Sequence, residues 1–432
     1  MTAIAKFLGA GMRHASRRAL QFDEKPAGLP APVPGHRYLL YLHVPFCESL
    51  CPFCSFHRVQ FRSAKAKPYF EALRAEIDHY AALGFEFGEV YVGGGTPTVL
   101  PEELARTLGW LREHFAVTDI SVETNPNHLT PPVIQALQAA GITRLSVGVQ
   151  SFDDELLKRM GRYQAYGSGL EIAERLARVQ TAFPTVNADL IFNLPGQSAD
   201  SFARDLEILA QEVGVAQASF YPLMVTPSTR ARMRAEMGET QADSEQALYR
   251  MIESGLGQAY QASSAWCFSR GAAQVDEYVI AHEDYVGAGS GAFGYLQGQL
   301  QANTFSLRDY QARVASGQTG VTHSREFSRR EQLRYHLLMR LFGLHLDKGL
   351  TIDRFGAAAW RRLAPEVAAL KLAGAVREQD AVLRLTPRGR YYWVVMMREF
   401  FSGVNRFREV MREQWRSGGP MRTPLTRKGR DL

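Results

Sequence analysis

The sequence predicts an α/β fold, a partial parallel (β/α)6 barrel followed by a mostly helical, winged-helix-like C-terminal unit. Three observations predict it. Six β-rich runs (YLLYLHV, EVYVGG, DISVET, RLSVGVQ, VNADLIF and ASFYPL) alternate with stretches of helical spacing such as PYFEALRAEIDHYAAL, PEELARTLGWLREHF and SFARDLEILAQEV, the pattern of a parallel sheet with helices outside. Chemically distinctive residues fall at the C-terminal ends of these runs, where parallel α/β folds keep their sites. After about residue 225 the alternation stops. Beyond 325, SRREQLRYHLLMRLFGL reads as one helix, LTIDRFG starts another, and AVLRLTPRGRYYWVV gives a strand pair running into a last helix.

The elements follow in order. Residues 1–36 form a basic extension and linker, Pro/Gly/Ala-rich from 25 to 36. Residues 37–225 hold the barrel, 226–324 complete and connect it, 325–400 form the winged-helix-like domain, and 401–432 are a basic tail. With 432 residues, 46% of them hydrophobic, the chain can bury a large core. No apolar run is long enough to cross a bilayer, and the N-terminus has no apolar signal region. Four cysteines, three of them within eight residues, suit a metal centre in a reducing cytoplasm better than a disulfide scaffold.

The net charge of +6 is unevenly placed. Residues 401–432 carry +5 and residues 1–24 carry +2, which leaves the remainder near −1. Basic ends fit an anionic membrane surface or nucleic acid, or are simply solvated tails.

The segment YLHVPFCESLCPFCSFH places Cys47, Cys51 and Cys54 as C-x3-C-x2-C directly after a strand. Three thiolates on a tight loop hold three irons of a [4Fe-4S] cubane and leave the fourth open. An open iron can bind the amino and carboxylate groups of S-adenosylmethionine (SAM), whose C–S bond then breaks on electron transfer. A structural metal site would call for a fourth ligand, and the loop has none. Gly93, Gly94 and Gly95 follow the second strand, where a ligand can approach bare backbone, although a tight βα turn also uses such residues. Glu123 ends the third strand, where it is either an acceptor for a ribose hydroxyl or ammonium, or a surface acid.

Tyr41, His43, Pro45, Phe46 and Cys47, with the other two cysteines, resemble the oxygen-independent coproporphyrinogen III oxidase family, which includes heme chaperones and SAM-dependent C-methyltransferases. The motifs GGGTPT, ETNP, SVGVQSFDD, MGR and DLIFNLPGQ follow in the family's order, and the likeness runs from about residue 38 to about 400. The resemblance implies two SAM molecules. Tyr41, Phe53, Gly94, Gly95, Glu123 and Phe293 would surround the first. Thr96, Gln150, Arg162 and Asp189 would hold the second, Asp189 on ribose and Arg162 on carboxylate.

Two departures bear on the branch. The oxidase has a fourth cysteine where this chain has Phe56, and the heme chaperones usually carry a histidine after the MGR-like motif, where this chain has Tyr163 and Gln164. The segments SSAWCFSR, DEYVIAHEDYVGAGSGAFGYL and NTFSLRDY are more similar to the methyltransferase-type branches. The resemblance therefore implies a radical SAM methyltransferase: one SAM is cleaved to a 5′-deoxyadenosyl radical, and the second supplies the carbon added to an sp2 carbon. The aromatic, Arg-interleaved stretch YYWVVMMREFFSGVNRFREVMREQW and the amphipathic AIAKFLGAGMRHASRRALQF favour a lipophilic ring substrate, with menaquinone first. Alternatives are a heme-degrading methyltransferase, a heme chaperone and the oxidase itself. Cys267 is a candidate hydrogen donor to a radical adduct, or a buried apolar thiol. The expected partners are a flavodoxin- or ferredoxin-like electron donor and peripheral contact with the inner face of the membrane. No nucleic acid is expected, and the chain reads as a monomer.

Overall fold

The computed structural model describes residues 2–23, 28–240, 244–271 and 276–416. All six predicted runs are strands: β1 (Arg37–Val44), β2 (Glu86–Gly94), β3 (Asp119–Thr124), β4 (Arg144–Gln150), β5 (Thr185–Phe192) and β6 (Gln217–Pro222). They pair in parallel in sequence order. The segment after residue 225 supplies β7 (Gln261–Ala262), β8 (Cys267–Ser269), β9 (Tyr285–Ala288), β10 (Phe293–Leu296), β11 (Gln299–Asn303) and β12 (Val321–Glu326). Strand β9 adds a seventh parallel strand on the other side of β1, while β8 and the β10–β12 meander extend the two flanks antiparallel. The result is a mixed twelve-stranded sheet, ordered β12-β11-β10-β9-β1-β2-β3-β4-β5-β6-β8-β7, and not a closed barrel.

Helices cover the outer face because their apolar stripes match it. The helix Gly169–Val179, for example, opens with a Ser168/Glu171 capping box and buries Ile172, Leu176 and Val179. The winged-helix-like unit contains the helix Arg329–Phe342 and a three-stranded sheet of His345–Asp347, Val376–Gln379 and Val382–Leu385. It is keyed to the sheet by buried Glu283, which pairs with His336, with Arg340 at 3.1 Å and with Arg354 at 3.0 Å.

The boundary expected at residue 400 does not exist. One helix runs unbroken from Pro387 to Arg416. Its apolar positions continue past Gly403 through Val404, Phe407 and Met411, all buried, so nothing stops it. The aromatic stretch that motivated a membrane contact therefore lies in the interior: Tyr391, Trp393, Val394 and Met397 are core. The N-terminal helix Ala3–Ala19 packs along it. Gly9 lies against Val395 and Gly403 against Ser16, and Arg13 reaches Glu399 at 3.0 Å. The face of this helix that carries Ala5, Gly9 and Ser16 is thus used within the protein, while Phe7 is exposed. No helix among the described residues is long and apolar enough to cross a membrane. The charge beyond Arg416 lies outside the described residues.

Candidate active site

Alternate residues of a strand face one side, and that rule builds the site. Val122, Val147, Ala188 and Leu190 point into the core, whereas Glu123, Gly148, Gln150 and Asp189 border a cavity of about 270 Å3 at the C-terminal ends of the strands. Tyr41, Phe53, Gly94, Gly95, Thr96 and Arg162 border the same cavity, together with Cys47, Cys51 and Cys54. Twelve of the fourteen residues singled out from the sequence therefore meet in one place.

The cysteine loop is held open by its own backbone. Phe46–Cys47 pairs in parallel with Val59–Gln60, and Phe61 N–H donates to the Cys47 carbonyl at 2.8 Å. Arg58 then donates to the carbonyls of Cys51 and Cys54, at 2.5 and 2.7 Å, and pins the turn between them. The thiols have donors too: Thr96 Oγ1 lies 3.8 Å from Cys47 Sγ, and Arg162 Nη1 lies 3.5 Å from Cys51 Sγ. Burial, reinforced by the nearby Cys54, pushes the Cys47 thiol up to about 12. A thiol in such a place ionises when a metal replaces its proton. Among the described residues no three His, Cys, Asp or Glu side chains converge on a single ion. A cubane asks for no such common point, because each thiolate binds a different iron. The residues fit a [4Fe-4S] cluster with SAM beside it, and such a pair supplies radical chemistry when bound.

The glycine run is dictated by contact as well as by ligand access. A Cβ on Gly93 would lie 2.7 Å from the Glu123 carboxylate, one on Gly94 (φ +117°) 2.7 Å from the His43 ring, and one on Gly95 2.6 Å from the Phe46 carbonyl oxygen. Glu123 accepts from Tyr91 Oη and from the Gly94 N–H, each at 3.0 Å. Gln150 holds φ +75° where the β4–β5 register shifts, an uncommon conformation for a residue with a side chain. Asp189 accepts from Ser146 Oγ at 2.9 Å and from Asn187 Nδ2 at 2.7 Å. Arg162 donates to Asn125 Oδ1 at 3.1 Å and to the Gly148 carbonyl, and stacks on Tyr166.

Behind Asp189 lies an acidic group that the motifs did not reveal. Asp276 pairs with fully buried Arg144 and accepts from Ser219 Oγ at 2.6 Å and Tyr221 Oη at 3.0 Å. Glu277, next in the chain, borders the cavity. Burial first, and then the charge on Asp276, raises the carboxyls of Asp189 and Glu277 well above their usual range. The other cavity wall comes from far along the chain: Trp266 from the sheet's edge, and Phe401, Asn405 and Arg408 from the C-terminal helix. Sequence reasoning used the segments that carry these residues as marks of the branch and of a lipophilic substrate, without singling the residues out as a site. The one signal within reach was Arg58, four residues after Cys54 on the same loop.

Two expected site residues lie elsewhere. Cys267 is fully buried, paired across the sheet with Ser219, and does not border the cavity. Burial raises its thiol strongly, as for an apolar core cysteine. Phe293 stands behind the wall in an aromatic cluster with Phe22, Phe305 and Phe407, its ring under Arg408. Its strand β10 runs antiparallel to β9, and the ring packs against Phe407 and Arg408 of the C-terminal helix.

Comparison with known proteins agrees with this geometry. Residues 41–209 match the radical SAM superfamily model. A heme chaperone of Mycobacterium tuberculosis (HemW) is 32% identical over 85% of this chain and 96% of its own length. An anaerobilin synthase of Escherichia coli O157:H7 is 29% identical over 82% of this chain and 81% of its own length. Coproporphyrinogen III oxidase (HemN) of Escherichia coli superposes with a TM-score of 0.68 at 25% identity, over 84% of this chain and 90% of that one. These relatives do not carry the methyltransferase-type branch expected from the sequence. The chain belongs to the radical SAM family, in the group of the coproporphyrinogen III oxidases and HemW heme chaperones.

Proposed function

We propose that the chain is a heme-handling radical SAM protein, which binds SAM at a cluster on Cys47, Cys51 and Cys54 and takes a heme-type tetrapyrrole in the same cavity. The observation that carries this reading is the lining itself. Cluster thiols and polar strand-end residues form one wall, and a wall of aromatic and cationic side chains (Phe56, Trp266, Phe401 and Arg408) completes the enclosure. The first wall suits a polar, charged cofactor. The second suits a large flat ring with acidic substituents. The relatives named as heme chaperones match most of this chain. Methyl transfer to menaquinone loses its motive, because the aromatic C-terminal stretch faces the interior and not a bilayer.

Within that reading the primary role is heme binding of the chaperone kind. Chemistry on the heme is the second reading, favoured by one observation: Thr96, Gln150, Arg162 and Asp189, the residues expected around a second SAM, all border the cavity beside the first set. An external one-electron donor such as a flavodoxin or ferredoxin would serve either role. The test is anaerobic incubation of reconstituted protein with heme, SAM and a reductant, followed by absorbance and mass spectrometry. Heme bound, unaltered and passed to an apo-acceptor supports the chaperone reading. Heme consumed together with SAM supports the enzyme. No heme binding overturns the proposal.

A further inference from the structure

Arg408 occupies a position where an arginine is costly. It comes from the C-terminal helix, is 7% exposed and borders the cavity. Guanidinium stays protonated in proteins, so burying it without an anion is strongly unfavourable. Its partners are neutral. Nη1 donates to Asn405 Oδ1 at 2.8 Å, and the guanidinium stacks on the Phe56 and Phe293 rings at 5.2 and 5.1 Å. Nε has no acceptor, and no ion pair is formed with any described residue. Of the other buried arginines among the described residues, Arg144 has Asp276 beside it, and Arg162 is answered by Asn125, the Gly148 carbonyl and the Cys51 thiol. A second buried donor on the same lining, Trp266 Nε1, also lacks an acceptor.

The position is held firmly. Arg412, one turn further on, donates to the Phe56 carbonyl at 3.2 Å and ties the backbone that carries this ring to the C-terminal helix. Phe293 is braced from behind by Phe22, Phe305 and Phe407. Two aromatic rings flank the guanidinium carbon, and the planar fork of a guanidinium suits bidentate capture of a carboxylate.

We propose that Arg408 is a substrate-carboxylate site, which receives a propionate of the tetrapyrrole at the cavity wall beside Phe56. This rests on the tetrapyrrole reading above and adds to it the acidic side chain as the group recognised. SAM also has a carboxylate, and Arg162, which borders the same cavity beside Cys51, is the cation that the family resemblance puts on one. The rival partner is the cluster itself, whose charge Arg408 would then merely balance from beside the cysteine loop.

The test uses full-length protein reconstituted anaerobically, titrated with iron protoporphyrin IX and with its dimethyl ester, which keeps the ring and removes both negative charges. The wild type is expected to prefer the free acid by about tenfold or more, the effect of one charge-assisted hydrogen-bonded pair. R408Q should remove most of that preference while iron content is kept, and R408K should retain part of it, with a point charge but no fork. Equal binding of acid and ester by the wild type overturns the proposal without any variant and leaves the tetrapyrrole reading standing. A preference that survives R408Q overturns it as well. A shift of the cluster's reduction potential in R408Q with the preference intact assigns the cation to the cluster and overturns it. Failure of the wild type to bind either compound overturns both readings together.

Discussion

The two walls of the cavity are built differently, and the difference separates cofactor from substrate. The sheet wall rises from strand ends and a short loop, and its acids, Glu277 apart, are already answered. Glu123 has Tyr91 and an amide, Asp189 has Ser146 and Asn187, and Asp276 has Arg144. The helix wall is carried on residues 401–408 of one long helix, and its central cation is answered by an amide oxygen and two rings alone. A satisfied wall is preorganised for a ligand that is always the same. An unsatisfied one waits for a group that the ligand brings. Substitutions in the first should therefore strike cluster and SAM binding, and substitutions in the second should strike what is held beside them.

The largest effect belongs to the thiols. Cys51→Ala removes one of three iron ligands and should abolish SAM cleavage, with iron after anaerobic reconstitution falling far below the about four per chain expected of a cubane. Cys267→Ala should leave iron unchanged, since that thiol is a fully buried neighbour of Ser219 away from the cavity. Full SAM cleavage by Cys51→Ala would remove the sheet wall's claim to the cofactor.

Next comes Gly95→Ala, a change of one methyl. The added Cβ would stand 2.6 Å from the Phe46 carbonyl oxygen, which itself accepts from Thr96 N–H at 2.7 Å. Because the obstacle is backbone, the loop carrying Cys47 must shift. Overpacking of this kind costs about 1–3 kcal/mol. A thermal melt should show the loss, and equilibrium binding should show weaker SAM affinity with heme affinity less affected.

How much of this was legible in the sequence follows the same divide. The six parallel strands and the sheet-wall residues could be read because each sits in a short local motif at a strand end, where spacing alone fixes the side. Strand β9 escaped notice because its parallel partner β1 lies some 240 residues earlier, and YVGA is too short to announce itself. The acid pair Asp276–Glu277 escaped because nothing local distinguishes it from a surface turn. The helix wall could be read two ways, as a membrane-facing stretch or as a core helix with an arginine rim. Aromatic residues interleaved with arginine look the same whether the helix lies on a bilayer or crosses a core, and only packing against Ala3–Ala19 and the sheet decides which. Phe293 was placed by motif on the cavity and lies one ring behind it, because a side chain's final position depends on Arg408, a residue more than a hundred positions away.

A smaller, pH-dependent effect tests the sheet wall from below. His43 is fully buried; its Nε2–H donates to the His57 carbonyl at 2.9 Å and Nδ1 accepts from Tyr41 Oη at 2.9 Å, which fixes a neutral tautomer. Burial lowers its pKa from 6.5 to about 3. Between those values the unfolded chain holds a proton that the folded one lacks, so stability is complete above pH 6.5 and is lost as pH falls. One such group contributes a slope of about 1.4 kcal/mol per pH unit. Urea midpoints measured from pH 7 down to 5 should decline, and His43→Gln should flatten the decline even where it lowers stability at neutral pH. An unchanged slope would place the acid sensitivity elsewhere.

The smallest effect expected is at the outer clamp of the helix wall. Gly9 and Gly403 let the N- and C-terminal helices touch, since a Cβ at either would meet the opposite helix at 3.2 and 2.9 Å. Arg13–Glu399 spans the seam at 3.0 Å. Half of the Arg13 side chain is in solvent, so the pair is screened, and its loss in Arg13→Ala should cost well under about 1 kcal/mol. Gly403→Ala acts at the same seam by steric means and should cost more, because Ser16 Cβ is its obstacle and the helix backbone cannot yield. Neither change touches a strand end. Both should leave iron content and SAM cleavage at wild-type levels, while hydrogen exchange in residues 395–410 quickens and tetrapyrrole affinity falls, more for Gly403→Ala than for Arg13→Ala. If either variant loses iron instead, the two walls are mechanically one, and their division into cofactor side and substrate side fails.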